Sequence, residues 1–132
     1  MLCYSSGYGN TPSGVDLKSL FSSVGWAECL TEQELFDAIR VSSHSVVVYD
    51  ADVLVGFIRS MDDGIYSASI DLLVVRPNYQ HKGIGSELLR HLLSQIEHIR
   101  YISVSPNDKS TFRLYERFGF VEMTQGGYLQ KV

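Results

Sequence analysis

The stretch RPNYQHKGIGSELLRHLL, residues 76–93, places Gly83 and Gly85 at the start of a segment that otherwise has the pattern of a strong helix. Its apolar residues recur at spacings of three and four, which predicts an amphipathic helix over residues 84–99. Glycine in a helix costs roughly 1 kcal/mol relative to alanine. Two glycines at this point therefore indicate a need for bare backbone.

A strand is predicted immediately before the glycines. Residues 65–75 alternate between polar and apolar side chains and then become continuously apolar, which is typical of a strand that enters the middle of a sheet. Pro77 cannot continue the hydrogen-bond ladder, so this strand should end near Arg76. The order of strand, glycine loop and helix predicts a crossover connection.

The rest of the chain predicts further short strands and helices. Thr31 stands three residues before Glu34, which is the capping-box pattern of a helix start, and Gly25 can end the helix before it. Together these segments predict an α/β (α+β) fold, with a central, mixed, mostly antiparallel sheet of about six or seven strands flanked by about four helices. We expect helices over 15–24, 31–42 and 111–118, and strands over 2–5, 45–50, 53–59, 101–105, 119–124 and 127–132.

Length and composition bound the class of protein. The 132 residues suffice for one domain with its own core, and we expect residues 1–132 to form a single domain. No apolar run approaches the roughly 20 residues that span a bilayer, and no signal segment opens the chain, so we expect a cytoplasmic protein without a membrane partner. The net charge of −4 provides no electrostatic reason to expect a nucleic-acid partner. Cys3 and Cys29 are expected to be free thiols, and no metal-ligand spacing is present.

The glycine loop itself predicts an anion site. The first turn of a helix carries backbone N–H groups without partners in the helix, at the positive end of its dipole. Glycines there let a phosphate approach those donors closely. A tight turn or close helix–sheet packing would also require glycine, and the sequence leaves these explanations open. The P-loop pattern is absent and GIGSEL matches GxGxxG only at its first two glycines, so a nucleotide-binding domain is a remote alternative.

Two ordered motifs carry a family resemblance. Residues 75–85, VRPNYQHKGIG, resemble the acyl-CoA-binding signature Q/R-x-x-G-x-G/A of the GNAT acetyltransferases, with Gln80, Gly83 and Gly85 at its defining positions. Residues 114–120, LYERFGF, are similar to the Y-E-x-x-G-F segment near the C-terminus of that family. The resemblance covers nearly the whole chain. It implies an N-acetyltransferase that uses acetyl-CoA as co-substrate and needs no metal.

The resemblance also implies a set of cofactor contacts. The main chain of Leu73, Val74 and Val75 would hydrogen-bond the pantetheine arm and polarise the thioester carbonyl, as an oxyanion hole does. The family often has an asparagine before the last helix that contacts the same arm, and either Asn107 or Asp108 stands near that position. The pyrophosphate would lie on the amides of Gln80, His81, Lys82, Gly83, Ile84, Gly85 and Ser86.

Two side chains are candidates for the chemistry. In the family a tyrosine at the position of Tyr115 lies near the sulfur of CoA, where a phenol can act as general acid. Asp71 is the only carboxylate inside the fourth-strand segment and is a candidate general base, although it can equally face solvent where the sheet splays. Asp62 and Asp63 would attract a cationic acceptor from a predicted turn, or simply form the turn. Arg76, with His81 and Lys82, would add attraction for the CoA phosphates.

Two classes of function remain open at this point. The first is an enzyme that moves an acetyl group to a primary amine, most simply a small molecule, by direct attack in a ternary complex. The alternative is a non-catalytic acyl-CoA-binding sensor or interaction module. Both need the glycine loop, whereas only the enzyme needs Tyr115. Many proteins that share the resemblance pair through their C-terminal strands, so a homodimer is also expected.

Overall fold

The computed structural model describes residues 1–7, 9–106, 109–123 and 129–131. These ranges contain one mixed sheet of seven strands, four α-helices and one short 3-10 helix (Pro77–Tyr79). The predicted fold class is therefore confirmed. The elements, in chain order, are β1 (Leu2–Ser6), α1 (Gly14–Ser22), α2 (Glu32–Arg40), β2 (His44–Asp50), β3 (Val53–Asp62), β4 (Ser67–Val75), α3 (Ile84–Ile96), β5 (Tyr101–Val104), α4 (Lys109–Glu116), β6 (Phe120–Glu122) and β7 (Leu129–Lys131).

The sheet has the order β1-β2-β3-β4-β5-β7-β6. The β4–β5 pair is parallel, and the other neighbouring pairs are antiparallel. A parallel pair needs a long crossover connection, and α3 supplies it, as the strand–loop–helix order predicts. In the described part of the chain, no helix is long and apolar enough to cross a bilayer.

Local sequence signals explain where the first two helices begin. The Ser13 Oγ accepts a hydrogen bond from the Asp16 N–H at 3.1 Å and so caps α1. The predicted capping box of α2 is present, because Thr31 Oγ1 accepts from the Glu34 N–H at 3.0 Å while the Glu34 carboxylate accepts from the Thr31 N–H at 2.9 Å.

The sheet carries a hydrophobic core on each face. Helix α3 packs on one face and buries Leu88, Leu89 and Leu92. Helices α1 and α2 pack on the other face around Phe57, which is fully buried. Gly56 permits the close approach of α3, since a Cβ at this position would lie 2.8 Å from Val48 Cγ1 and 3.0 Å from Leu88 Cδ1.

Strand β4 leaves the ladder with β5 halfway along its length. Residues from Ser67 to Ile70 pair with β5, and the last pair joins Ile70 and Val104. The register between β3 and β4 also shifts by one residue between Phe57 and Arg59, and Leu72 adopts a φ of 56°. This is a β-bulge, a feature that re-aims side chains at the edges of sites. It lies just beyond the last residue pair of β4 and β5.

Several predicted boundaries differ from those observed. Strand β3 runs to Asp62 instead of residue 59, and β4 begins at Ser67 instead of residue 65. The reason is the turn between them, in which Asp63 Oδ1 accepts hydrogen bonds from the N–H groups of Ile65, Tyr66 and Ser67. The last two predicted strands correspond to β6 and β7, and parts of both predictions lie outside the described residues.

Candidate active site

A cavity of about 870 Å³ lies where β4 and β5 separate. This volume is in the range of small-molecule and cofactor sites. One half of the cavity is bounded by the end of β4, the glycine loop and α4, and the other half by α1, α2 and the segment between them. The two halves meet at β4, beside Asp71 and Leu72.

The glycine loop leads from the end of β4 into α3. His81 and Gly83 adopt left-handed backbone conformations, with φ values of 62° and 83°. Gly83 is the N-cap residue of α3 and offers no side-chain cap, and the first bond within the helix runs from the Glu87 N–H to the Gly83 carbonyl. The amides of the first turn therefore have no acceptor within the helix and are suited to an anion.

The two glycines serve different purposes. Gly83 has a positive φ, a conformation that glycine adopts freely and that strains residues with a Cβ, so the turn itself favours glycine at this position. Gly85 needs no such conformation, and a Cβ there would meet only Leu114 Cδ2, at an ordinary contact distance of 3.6 Å. The protein's own packing therefore does not require Gly85, which lines the cavity. The bare backbone keeps space free on the cavity side.

The side chain of Gln80 ties the loop to the strand. Its Nε2 donates a hydrogen bond to the Val75 carbonyl at 2.9 Å. Leu73, Val74 and Val75 line the cavity along the part of β4 that lacks β5 as a neighbour, and Ile84 and Ser86 line it from the start of α3. These residues therefore border one cavity, and their contacts with a cofactor stay a prediction.

Tyr115 lines the same cavity from α4 and is 2% exposed. Its ring packs edge-on against Phe120, with 5.4 Å between the ring centroids. Burial raises the pKa of Tyr115 above its ordinary value of 10, and the negative charge of Asp71 raises it further. The phenol is thus protonated at neutral pH and can act as an O–H donor.

Arg59 is a cavity residue that the sequence reasoning missed. Its Nε donates to Asp71 Oδ1 at 2.8 Å and its Nη2 donates to Asp71 Oδ2 at 3.3 Å. Its Nη1 also donates to the Ala38 carbonyl in α2 at 3.3 Å. Asp71, predicted as a candidate base, is therefore held by both oxygens. The sequence does place a cation, Arg59, at the end of a predicted strand. Its partner could not be predicted, because it depends on the register between β3 and β4.

The second half of the cavity has an apolar wall. Trp26 lines it, and its ring packs edge-on against Phe21 with 6.2 Å between centroids. Among the described residues that line the cavity, Asp71 is the only carboxylate. The sequence reasoning did not assign this wall to the site, although Gly25-Trp26 marked the segment between the two helices. Its residues are Phe21, Val24, Trp26, Ala27, Leu30, Leu35, Ala38 and Ile39.

The structure corrects the roles predicted for Arg76 and Asp62 and supports the turn alternative for Asp63. The Arg76 guanidinium donates to the Leu54 carbonyl at 2.7 Å and to Ser19 Oγ at 2.9 Å, so it ties β3 to α1 rather than facing the loop. Asp62 belongs to β3 and not to a turn, and its side chain is 2% exposed and accepts a hydrogen bond from Ser60. The Asp63 carboxylate shapes the following turn by accepting hydrogen bonds from three of its backbone N–H groups.

Lys82 and His81 extend from the loop with different surroundings. The Lys82 ammonium lies 5.7 Å from the centre of the Tyr79 ring, whereas His81 lines the cavity. The predicted contacts from Asn107 and Asp108 lie outside the described residues. In the described ranges, no three His, Cys, Asp or Glu side chains are grouped as a metal site would require.

A model of a known protein family matches most of the chain. Residues 42–122 match a family model described as acetyltransferase (GNAT) domain. An uncharacterized N-acetyltransferase, ycf52, of Gracilaria tenuistipitata var. liui is 26% identical over 116 residues, which are 84% of this chain and 63% of that protein. The protein of the same name from Pyropia yezoensis is 25% identical over 118 residues, and 66% of its length is covered. This chain thus spans just under two thirds of the length of these relatives.

Solved structures share the same fold. A GNAT-family acetyltransferase of Streptococcus pneumoniae TIGR4 is 26% identical, with a TM-score of 0.78 over 92% of this chain and 88% of that one. A Staphylococcus aureus protein of unknown function, described as a probable acetyltransferase, is 24% identical with a TM-score of 0.83, over 95% of this chain and 93% of that one. At this identity the second likeness concerns the fold alone.

Proposed function

This chain belongs to the GNAT acetyltransferase family, and from that premise we propose that it moves an acetyl group from acetyl-CoA to a primary amine. Both molecules occupy the cavity together, acetyl-CoA in the half beside the glycine loop and the amine in the half beside α2. The observation that carries the proposal is Gly85, whose missing side chain serves no packing within the protein and faces the cavity.

The residues that would hold acetyl-CoA fit its chemistry. The first-turn amides of α3 suit a pyrophosphate, because an anion gains both from their hydrogen bonds and from the helix dipole. Leu73 to Val75 lie beyond the last β4–β5 pair and line the cavity, which suits their main chain to the amide-bearing pantetheine arm. Asn107 or Asp108 remains a predicted further contact with that arm.

The chemistry divides between two side chains. The amine nitrogen attacks the thioester carbonyl carbon, a C–N bond forms and the C–S bond breaks. Asp71 takes the proton that the ammonium group must lose, directly or through water. Tyr115 donates its phenolic proton, or a strong hydrogen bond, to the departing sulfur. The second proton that the nitrogen loses as the amide forms then restores the phenol, or passes to solvent if Tyr115 has kept its proton. Asp71 and Tyr115 line the same cavity, which supports their action on one reacting centre.

The apolar wall supports a small-molecule acceptor. A primary amine with an apolar body would bury that body against Trp26 and the α2 side chains, and each apolar Å² removed from water contributes about 25 cal/mol. The carboxylate of Asp71 would then lie near its charged end. An acceptor with several charges would have to bury them against the same apolar wall, which is unfavourable.

Calorimetric titration with acetyl-CoA tests the proposal, with two glycine variants that separate binding from folding. We expect micromolar binding by the unmodified chain. Gly85→Ala should weaken binding about tenfold because its methyl group enters the cavity, yet stabilise the protein by about 0.5 kcal/mol because alanine favours the helix. Gly83→Ala is the matched control and should lower the free energy of unfolding, since its φ is positive.

The outcome at Gly85 decides between a binding loop and a simple turn. Unchanged acetyl-CoA affinity in Gly85→Ala, or no affinity in the unmodified chain, would contradict the proposal. Binding without acetylation of any amine in a chemically varied panel would favour the non-catalytic sensor. The homodimer stays a prediction, which sedimentation velocity of the purified chain can test.

A further inference from the structure

Arg59 makes more bonds at the cavity than its position in the sequence suggests. It lies on β3 directly opposite Asp71 on β4. Its side chain is 16% exposed, whereas that of Asp71 is 45% exposed. A guanidinium matches a carboxylate in a two-pronged geometry, and here both prongs are used. The remaining terminal nitrogen reaches α2 through the Ala38 carbonyl.

The Arg59–Asp71 pair joins the two halves of the cavity. Ala38 belongs to the wall proposed for the acceptor, and Asp71 precedes the bulge at Leu72 that leads to the proposed thioester strand. Asp71 and Tyr115 line the same cavity. Without a neighbouring cation, this carboxylate would leave an uncompensated negative charge in the cavity in which the thioester sulfur becomes negative as it departs.

We infer that Arg59 is a positioning residue for acetyl transfer: it holds Asp71 by both oxygens, anchors it to α2 and offsets its charge in the cavity that Tyr115 also lines. The inference rests on the proposed function. Arg59 acts through Asp71 and touches neither the sulfur nor the carbonyl. The pair therefore presents the acceptor amine with a carboxylate of fixed orientation and small net charge.

The inference predicts opposite effects on binding and on chemistry. In Arg59→Met, Asp71 would no longer be paired and would attract an ammonium group more strongly, so the KM for a cationic amine should fall about threefold. The same change leaves Asp71 mobile and its charge uncompensated, so kcat should fall about tenfold. If Arg59 had a merely structural role, its substitution would lower kcat, and KM would rise or stay unchanged.

The test combines kinetics with a double-mutant cycle. Steady-state kinetics with an amine that the unmodified chain acetylates are compared for Arg59→Met, Asp71→Asn and the double variant. If Arg59 acts through Asp71, the double variant should be no slower than Asp71→Asn alone. Arg59→Lys keeps the charge without the two-pronged geometry and should recover part of kcat. The dissociation constant for acetyl-CoA should stay within about twofold in all four variants, since none alters the loop.

Failure of the inference is distinguishable from failure of the proposed function. If the unmodified chain binds acetyl-CoA but acetylates no amine, the proposed function fails, and the role of Arg59 falls with it. If the unmodified chain is active but the Arg59 and Asp71 effects are additive, only the inference about Arg59 is overturned. The inference would also be overturned if Arg59→Met lost acetyl-CoA binding while Arg59→Lys bound it fully. The positive charge at this position would then act on the cofactor.

Discussion

At the scale of single residues, the site depends on groups whose surroundings change their ordinary behaviour. Tyr115 is a phenol that burial and a nearby carboxylate keep protonated. Gly85 is a helical glycine that the protein's packing does not need, and Gly83 is one that the turn favours. The sequence motifs predict the positions of all three residues. Only the surroundings of the two glycines in the structure show that their roles differ.

The role proposed for Tyr115 leads to a test by Tyr115→Phe. The phenyl ring keeps the packing against Phe120, so folding should change little while the O–H is lost. General acid catalysis typically contributes 10²–10⁴-fold, and we expect kcat to fall at least about 10²-fold with acetyl-CoA affinity unchanged. Stopped-flow detection of released CoA measures this directly. Full turnover by Tyr115→Phe would exclude the phenol as the acid.

The same variant tests the pH behaviour of Tyr115. Because the pKa of Tyr115 is higher in the folded chain than its ordinary value of 10, the folded state binds this proton more tightly than the unfolded state. Its contribution to the free energy of unfolding is fully present below about pH 10 and is lost as the pH rises further. Alkaline unfolding should therefore be shallower in Tyr115→Phe. Below pH 10, deprotonation of Tyr115 should not reduce the rate.

At the scale of elements, the β3–β4 turn and the β4 bulge decide where the sheet opens. Asp63 organises the turn with three backbone hydrogen bonds, and Leu72 forms the bulge with a positive φ. The turn aligns the first half of β4 with β3, and the bulge follows directly after the last residue pair of β4 and β5. The cavity follows from these two local features.

Asp63→Ala tests the contribution of the turn as a function of pH. The N–H groups of Ile65, Tyr66 and Ser67 favour the carboxylate and hold the pKa of Asp63 below its ordinary value of 3.8. The stabilisation is therefore present above about pH 4 and is lost as the pH falls through the lower folded pKa. We expect Asp63→Ala to lower Tm by a few degrees at pH 7.

The difference between Asp63→Ala and the unmodified chain should shrink as the pH is lowered from 4 to 2, as measured by circular dichroism. Asp52→Ala is the matched control, since Asp52 is an exposed aspartate in the β2–β3 turn. A Tm difference that is independent of pH would mean that the carboxylate charge does not contribute.

At the scale of the whole molecule, one sheet supports two cores on opposite faces. The α3 core includes Val48 and Leu88, and the α1–α2 core includes Phe21 and Phe57, with Trp26 packed against it. Residues on adjacent positions of the same strands belong to different cores. We therefore expect the two cores to unfold together.

Gly56→Ala tests this cooperativity. Its Cβ would press on Val48 and Leu88 in the α3 core, and overpacking of this kind typically costs 1–3 kcal/mol. The denaturation midpoint should fall equally whether it is followed by far-UV circular dichroism or by the fluorescence of Trp26, which is the only tryptophan and reports on the opposite core. Midpoints that separate would show that the two cores unfold independently.

Sequence alone determined the element types, the crossover after β4 and the glycine loop, because these depend on local periodicity, capping and backbone freedom. It also indicated the family through two ordered motifs. Tertiary structure alone decided which charges meet. Arg59 reaches Asp71 through the register of β3 and β4, Arg76 turns toward α1, and Asp62 is buried in a strand. Side-chain partners depend on register and on packing between distant segments, and local sequence patterns do not encode either of them.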